Sequence, residues 1–382
     1  MKFTKMFKAA ALLGAAGTVA LMSGCAMNPN GNQGSALNGM KAGGHEYLLT
    51  VTRPNQLHVI DTETKQVLRS CDVPGTFGSG SVQPSPDGRI AYVLTNGAED
   101  VYGFDITNCD ILFSAKQSQN GEKVKTFVSL AISGDGKELY TVQNPTRKLN
   151  DRYEVLEPRL AVFNTADGLD AKAVRTFPVD RRITKIMTME NGEVILGGAD
   201  LKAINPANGD TRVLSALQNW ARGADWIPPD AFAMFTQGEH VGEYIMPYFT
   251  IKWNGAPGDM EQAEFWWGMS RIDVATGEVD ERETVPFEFI VFNWITDPLD
   301  SNILYGAFNQ LSKHDISQNK TVGVQDLEHT YYNLNMDRNR TIYIGGTSSD
   351  ISIHDPDTLE KIGSIQLSGD MSTSDLRIAR LL

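Results

Sequence analysis

The chain has 382 residues, 41% of them apolar, and a formal net charge of −13. That length is ample for one large core, and the acidity argues against nucleic acid as a partner. No CxxCH, GxSxG, P-loop or HExxH run occurs, so the sequence offers no c-type haem attachment and no autonomous catalytic set of those kinds.

Residues 1–24 read as a signal peptide: Lys2, Lys5 and Lys8 precede an apolar run from Ala9 to Leu21. The run is too short for a spanning helix of about 20 residues. Met22-Ser-Gly-Cys25 then resembles a bacterial lipobox, which implies cleavage before Cys25 and lipidation of its thiol; an ordinary signal peptide cleaved nearby is the alternative. Residues 25–44 form a lipid-anchored, Asn-, Gly-, Ser- and Ala-rich tether. The expected location is the bacterial periplasm, anchored to the envelope.

From residue 45 onward one phrase recurs seven times: a short alternating apolar run ending in Asp or Asn, followed by a turn. The copies are Leu57-His-Val-Ile-Asp61, Val101-Tyr-Gly-Phe-Asp105, Leu160-Ala-Val-Phe-Asn164, Leu201-Lys-Ala-Ile-Asn205, Met269-Ser-Arg-Ile-Asp273, Leu311-Ser-Lys-His-Asp315 and Ile351-Ser-Ile-His-Asp355. Alternation of this length marks a half-buried strand, and the Asp or Asn side chain can accept from the amides of the turn that follows. A second turn precedes many copies, as in Ser85-Pro-Asp-Gly88 and Ser133-Gly-Asp-Gly136, and leads into another apolar strand. Four strands per unit emerge, labelled a to d from the axis outward.

The Asp/Asn marks are 44, 59, 41, 68, 42 and 40 residues apart. The short intervals fit four-stranded blades, and the long ones imply insertions. The fold class is therefore all-β, a seven-bladed β-propeller of antiparallel blades over residues 45–382. Blade 1 lacks an inner strand of its own, whereas Ser374–Leu381 is a surplus strand at the other end. Using it as strand a of blade 1 closes the ring and removes an open sheet edge.

Two cysteines remain in the domain, Cys71 and Cys109, near outer strands of neighbouring blades. An oxidising compartment permits a disulfide between them; two separate thiols are the alternative. Of the six histidines, His58, His314 and His354 lie within repeat strands and read as structural, and no pair has metal-ligand spacing, so no metal is expected. Trp266-Trp267, directly before a repeat strand, reads as core.

The long intervals place insertions from about Asn144 to Pro158 in blade 3 and from about Gln237 to Ala263 in blade 5, both in the b-to-c connection. The second contains Tyr244-Ile-Met-Pro-Tyr-Phe-Thr-Ile-Lys-Trp253. In a meander the b–c and d–a connections share one face, so His329-Thr-Tyr-Tyr332, between blades 6 and 7, reaches it too. Long loops on a rigid scaffold carry function, and aromatic and Met side chains suit the centre of an interface; covering the propeller's own edge is the alternative.

Five stretches resemble the β subunit of quinohemoprotein amine dehydrogenase: Glu46–Glu63, Ser85–Tyr92, Tyr153-Glu-Val-Leu-Glu-Pro-Arg159, Met246-Pro-Tyr-Phe-Thr250 and His329-Thr-Tyr-Tyr332. The resemblance spans residues 45–382; Tyr92-Val-Leu-Thr-Asn96 also matches YVTN-type propellers generally. The lipobox-like leader departs from the family pattern. The resemblance implies a periplasmic heterotrimer with a dihaem cytochrome c subunit and a small subunit carrying cysteine tryptophylquinone, which oxidises primary amines to aldehyde and ammonia. On that view this chain binds neither cofactor itself. It holds the quinone subunit and walls the amine pocket, with Tyr248, Phe249, His329, Tyr331, Tyr332 and Trp220 as candidates and no catalytic residue of its own. The other reading is a stand-alone envelope lipoprotein that serves as a protein-binding scaffold.

Overall fold

In the computed structural model, which describes residues 37–231 and 239–382, the alternating runs pair into seven antiparallel sheets. The expected signal peptide, Cys25 and most of the expected tether lie outside the described residues. Blades 2, 4, 5, 6 and 7 each hold four strands in sequence order. Blade 2, for example, runs Val82–Pro84, Ile90–Thr95, Asp100–Asp105 and Ile111–Lys116. The protein is an all-β, seven-bladed propeller.

Blade 1 is closed by the chain's own end. Arg377–Leu381 pairs antiparallel with His45–Thr52, in the register His45↔Leu381 and Leu49↔Arg377, and Gln56–Asp61 and Val67–Asp72 complete the sheet. Sealing both termini into one sheet leaves no strand edge open at the closure point.

The Asp/Asn phrase makes the turn expected of it in six blades. Oδ1 of Asp61 accepts from Glu63 and Thr64 N–H at 2.8 and 3.0 Å, and Oδ1 of Asp273 from Ala275 and Thr276 N–H at 3.0 and 2.7 Å. Asp105, Asn205, Asp315 and Asp355 do likewise. Asn164 is the exception: its side chain caps nothing, and the turn closes as a short 3-10 segment, Thr165–Asp167. Each c–d pairing also carries a register shift, as at Val59/Ile60 and Lys313/His314. Such bulges add local twist, which the outer strands of a propeller blade need.

The core is divided among the seven clefts between blades. Tyr47, Val59, Val93 and Phe104 fill the cleft between blades 1 and 2, and Trp267, Met269, Trp294 and Leu304 that between blades 5 and 6. Each fully buried side chain of this size contributes roughly 1.5–3 kcal/mol. His58, His314 and His354 lie in this interior. Each is satisfied by neighbours: Thr52 and Ser70 for His58, Ser312 and Thr321 for His314, Ser352 and the Leu359 carbonyl for His354. Burial holds the imidazoles of His58 and His314 down to about 4.

The two long intervals differ from a looped insertion in a specific way. In blade 5, strands b and c lengthen instead: Glu243–Trp253 pairs without a break with Ala263–Asp273, from Glu243↔Asp273 to Trp253↔Ala263. The Tyr244–Trp253 run is therefore strand, not loop. Its aromatic and β-branched residues suit a paired strand, and the matching run in strand c zips the hairpin instead of leaving it irregular. In blade 3, strand b extends to Glu138–Lys148 and gathers two short ribbon strands, Glu122–Lys125 and Tyr153–Val155.

Candidate functional site: an aromatic face and a closed axis

The b–c and d–a connections share one face, and the partly exposed aromatics collect there. Phe249 and Phe265 come from the long blade 5 hairpin, Phe287, Phe289 and Phe292 from the connection between blades 5 and 6, Phe308 from the b–c turn of blade 6 and Tyr332 from the connection into blade 7. Phe249 meets Phe287 edge-on at 4.9 Å and Phe265 stacked at 6.2 Å. Phe292 meets Phe308 at 4.7 Å and Tyr332 at 4.9 Å, both T-shaped. These rings hold one another in the edge-on geometries that aromatic quadrupoles favour while remaining partly open to solvent.

On the blade 4–5 side of the same hairpin lies a cleft of about 410 Å³ lined by Trp220, Ala221, Arg222, Gly223, Trp226 and Pro228. The Arg222 guanidinium sits 3.6 Å from the Trp220 ring centre and is anchored to Glu283 at 2.5 Å and Glu281 at 3.1 Å. Trp226 flanks Trp220 at 6.0 Å. A stacked, carboxylate-braced guanidinium gives this cleft a rigid floor. Arg222 and Trp226 were not among the sequence candidates; the density of Trp and Arg between Asn219 and Trp226 is the signal that could have found them.

The six candidates separate into two groups. Tyr248 and Tyr331 are wholly buried in the propeller itself. Tyr248 points into the cleft between blades 4 and 5 because it alternates along strand b with Phe249, which faces the blade 5–6 side. Its ring lies where a Cβ at position 268 would come within 2.1 Å, which requires Gly268. Its hydroxyl, 3.4 Å from Glu283, is pushed well above the ordinary phenol value by burial and by that carboxylate. Tyr331 donates to Asp350 at 2.6 Å, and burial followed by that bond pushes its phenol up in the same way. Phe249, Tyr332, His329 and Trp220 keep partial exposure. His329 Nε2 lies 2.9 Å from the other oxygen of Asp350, so one carboxylate positions both His329 and Tyr331. Burial alone would raise the Asp350 carboxyl, but Tyr331 and His329 hold it below its usual range. Trp267 is core, whereas Trp266 stays half-buried on the opposite side of the same strand.

The axis is occupied by a charged plug. Lys185 Nζ reaches both oxygens of Asp375 at 2.9 and 2.8 Å. Arg377 binds Glu239, which also accepts from Asn335 at 3.0 Å, and Arg377 reaches Gln83 at 3.1 Å. Burial drives the Lys185 ammonium down against the pull of Asp375. The Glu239 carboxyl, which burial alone would raise, is held low by Arg377. These charges are paired with one another, which suits a structural closure of the axis.

Cys71, in strand d of blade 1, and Cys109, in the c–d turn of blade 2, are joined by a disulfide of 2.01 Å.

No protein-family model matches the chain, and no curated protein matches it. Solved structures do. A dihydro-heme d1 dehydrogenase, NirN, in complex with DHE superposes with a TM-score of 0.53 at 13% identity, over 88% of this chain and 76% of that one. Hydrazine synthase of Kuenenia stuttgartiensis gives 0.50 at 13%, over 82% and 90%. Apo AztD of Citrobacter koseri gives 0.52 at 12%, over 88% and 98%. At such identities the likeness shows the propeller fold alone.

Proposed function

We propose that this chain is a noncatalytic, partner-binding propeller of the bacterial envelope, and specifically the β-type subunit of a periplasmic quinohemoprotein amine dehydrogenase. The observation that carries this reading is the aromatic band from Phe249 to Tyr332, with the Trp220–Arg222–Trp226 cleft on the other side of the blade 5 hairpin. Rigid aromatics and a braced Arg are the residue types that dominate interface energetics. Their fit to an organic amine enclosed beneath a docked subunit lies in apolar walls that exclude water. The quinone of the small subunit would supply the amine-oxidising chemistry and the haems of the cytochrome subunit the electron acceptor. Phe249, Phe292 and Tyr332 would line the dry side of the pocket, and Asp350 would fix the His329 ring beside it. The Cys71–Cys109 disulfide supports an oxidising compartment such as the periplasm.

A second reading is favoured by Met22-Ser-Gly-Cys25: a lipid-anchored propeller that docks another envelope protein by the same face. Capture of the tagged mature chain from its native envelope, followed by a visible spectrum and mass analysis, separates the two. A co-purifying c-type haem signal and a small crosslinked quinone protein support the amine dehydrogenase subunit. A colourless complex lacking both rejects it.

A further inference from the structure

On the opposite face of the propeller, three ligand-type side chains converge in blade 1. His45 opens strand b, Asp61 ends strand c and Glu63 lies in the turn after it. The pairing Tyr47↔Asp61 brings the start of strand b beside the end of strand c. One ligand atom from each of the three lies within 4.8 Å of the others. His45 Nε2 is 3.3 Å from Asp61 Oδ2, and His45 Nδ1 is 3.5 Å from Glu63 Oε1.

The second observation concerns His45 itself. Its side chain is only 7% exposed, yet Nε2 makes no aligned hydrogen bond although it points at the Asp61 carboxylate. A buried polar atom left in that state is costly and asks for a partner. Every other buried histidine of this propeller's repeat strands has both nitrogens satisfied. The carboxylates are also set for a ligand. Asp61 spends Oδ1 on its turn, leaving Oδ2 toward His45. Glu63 gives Oε2 to Lys41 and turns Oε1 to His45.

We propose that His45, Asp61 and Glu63 bind one divalent transition-metal ion of the zinc class. Two ligands at about 2.1 Å from one tetrahedral zinc stand about 3.4 Å apart. The 3.3 Å between Nε2 and Oδ2 matches that spacing. Glu63 Oε1 lies against the other ring nitrogen, 3.5 Å from Nδ1, so its exposed side chain must swing round to the Nε2 side to become the third ligand, and water completes the shell. One imidazole with two carboxylates suits zinc or a neighbouring first-row ion better than magnesium or calcium, which prefer oxygen alone. The ion would tie strand b to the c–d turn beside the closing strand, where Gly44 N–H already bonds the Leu381 carbonyl at 2.7 Å. This inference stands apart from the proposed partner role, because the site lies on the other face.

The test is calorimetric titration of zinc chloride into the chelator-treated full chain, with His45→Gln and Glu63→Gln beside the wild type. One equivalent should bind to the wild type. Affinity should fall about tenfold in Glu63→Gln and at least a hundredfold in His45→Gln, and zinc should raise the wild-type Tm but not that of His45→Gln. Glu63→Gln, on the surface, keeps the test valid if His45→Gln unfolds. No saturable binding to the wild type would mean that His45 simply sits between two carboxylates, and the proposal would be overturned. Equal affinity in wild type and Glu63→Gln would overturn it as well.

Discussion

Lys185, at the entry to the inner strand of blade 4, spans the axis to Asp375, just before the closing strand, with Nζ within 2.9 Å of both carboxylate oxygens. The two side chains are 4% and 3% exposed. The pair therefore fastens the chain's end to a blade far from it in sequence. Removing one partner of such a pair strands the other charge, which costs about 3–5 kcal/mol. Lys185→Ala should lose stability on that scale in urea unfolding. Replacing both, by Lys185→Met with Asp375→Leu, should restore most of it. A single mutant as stable as the wild type would show that the pair carries no weight in closure.

Acid should weaken this protein before its carboxylates titrate. His314 is neutral when folded, with its imidazole held at about 4 by burial. In the unfolded chain it takes a proton near pH 6.5. The unfolded state therefore binds the extra proton between these values, and stability falls as pH drops from about 6.5 to about 4. It is fully present above that window. His58 acts in the same direction. The expected total for His314 is roughly 3 kcal/mol. His314→Gln should flatten the pH dependence of the unfolding midpoint over this window; an unchanged slope would assign the acid sensitivity to other groups.

The Cys71–Cys109 bridge closes a loop of sequence separation 38 between blades 1 and 2. By loop-closure entropy it is worth about 4 kcal/mol or less. Cys71→Ser with Cys109→Ser should lower the denaturation midpoint without altering the far-ultraviolet spectrum. Equal midpoints for the double mutant and the wild type would speak against a contribution from the bridge.

Neighbouring residues of one strand should behave differently. Tyr248→Ala empties a packed position between blades 4 and 5 and should cost about 3–5 kcal/mol. Phe249→Ala, half-buried against the blade 5–6 cluster, should cost less than Tyr248→Ala and weaken partner capture at least tenfold, as should Tyr332→Ala. Capture unaffected by Phe249→Ala and by Tyr332→Ala would remove the aromatic face from consideration.

The seven blades were legible because their signals are local: alternation of period two, and Asp or Asn placed to accept from the next turn. The closing strand was legible for a related reason, since one surplus strand and one missing strand admit one economical solution. The aromatic face was legible in outline from loop parity, but its membership was not. Reading Tyr244–Trp253 as a loop missed that strand c offers it an unbroken partner, and which inter-blade cleft Tyr248 and Phe249 each face depends on that pairing.

The sequence by itself determined the number of blades, the closure and which connections share a face, because these follow from backbone periodicity and chain continuity. Only the tertiary structure decided which aromatics remain exposed, that Lys185 meets Asp375, and that His45 faces Asp61 and Glu63. Those outcomes arise from contacts between residues brought together by register and ring closure, and burial at such points is set by the neighbours, not by the residue's own segment.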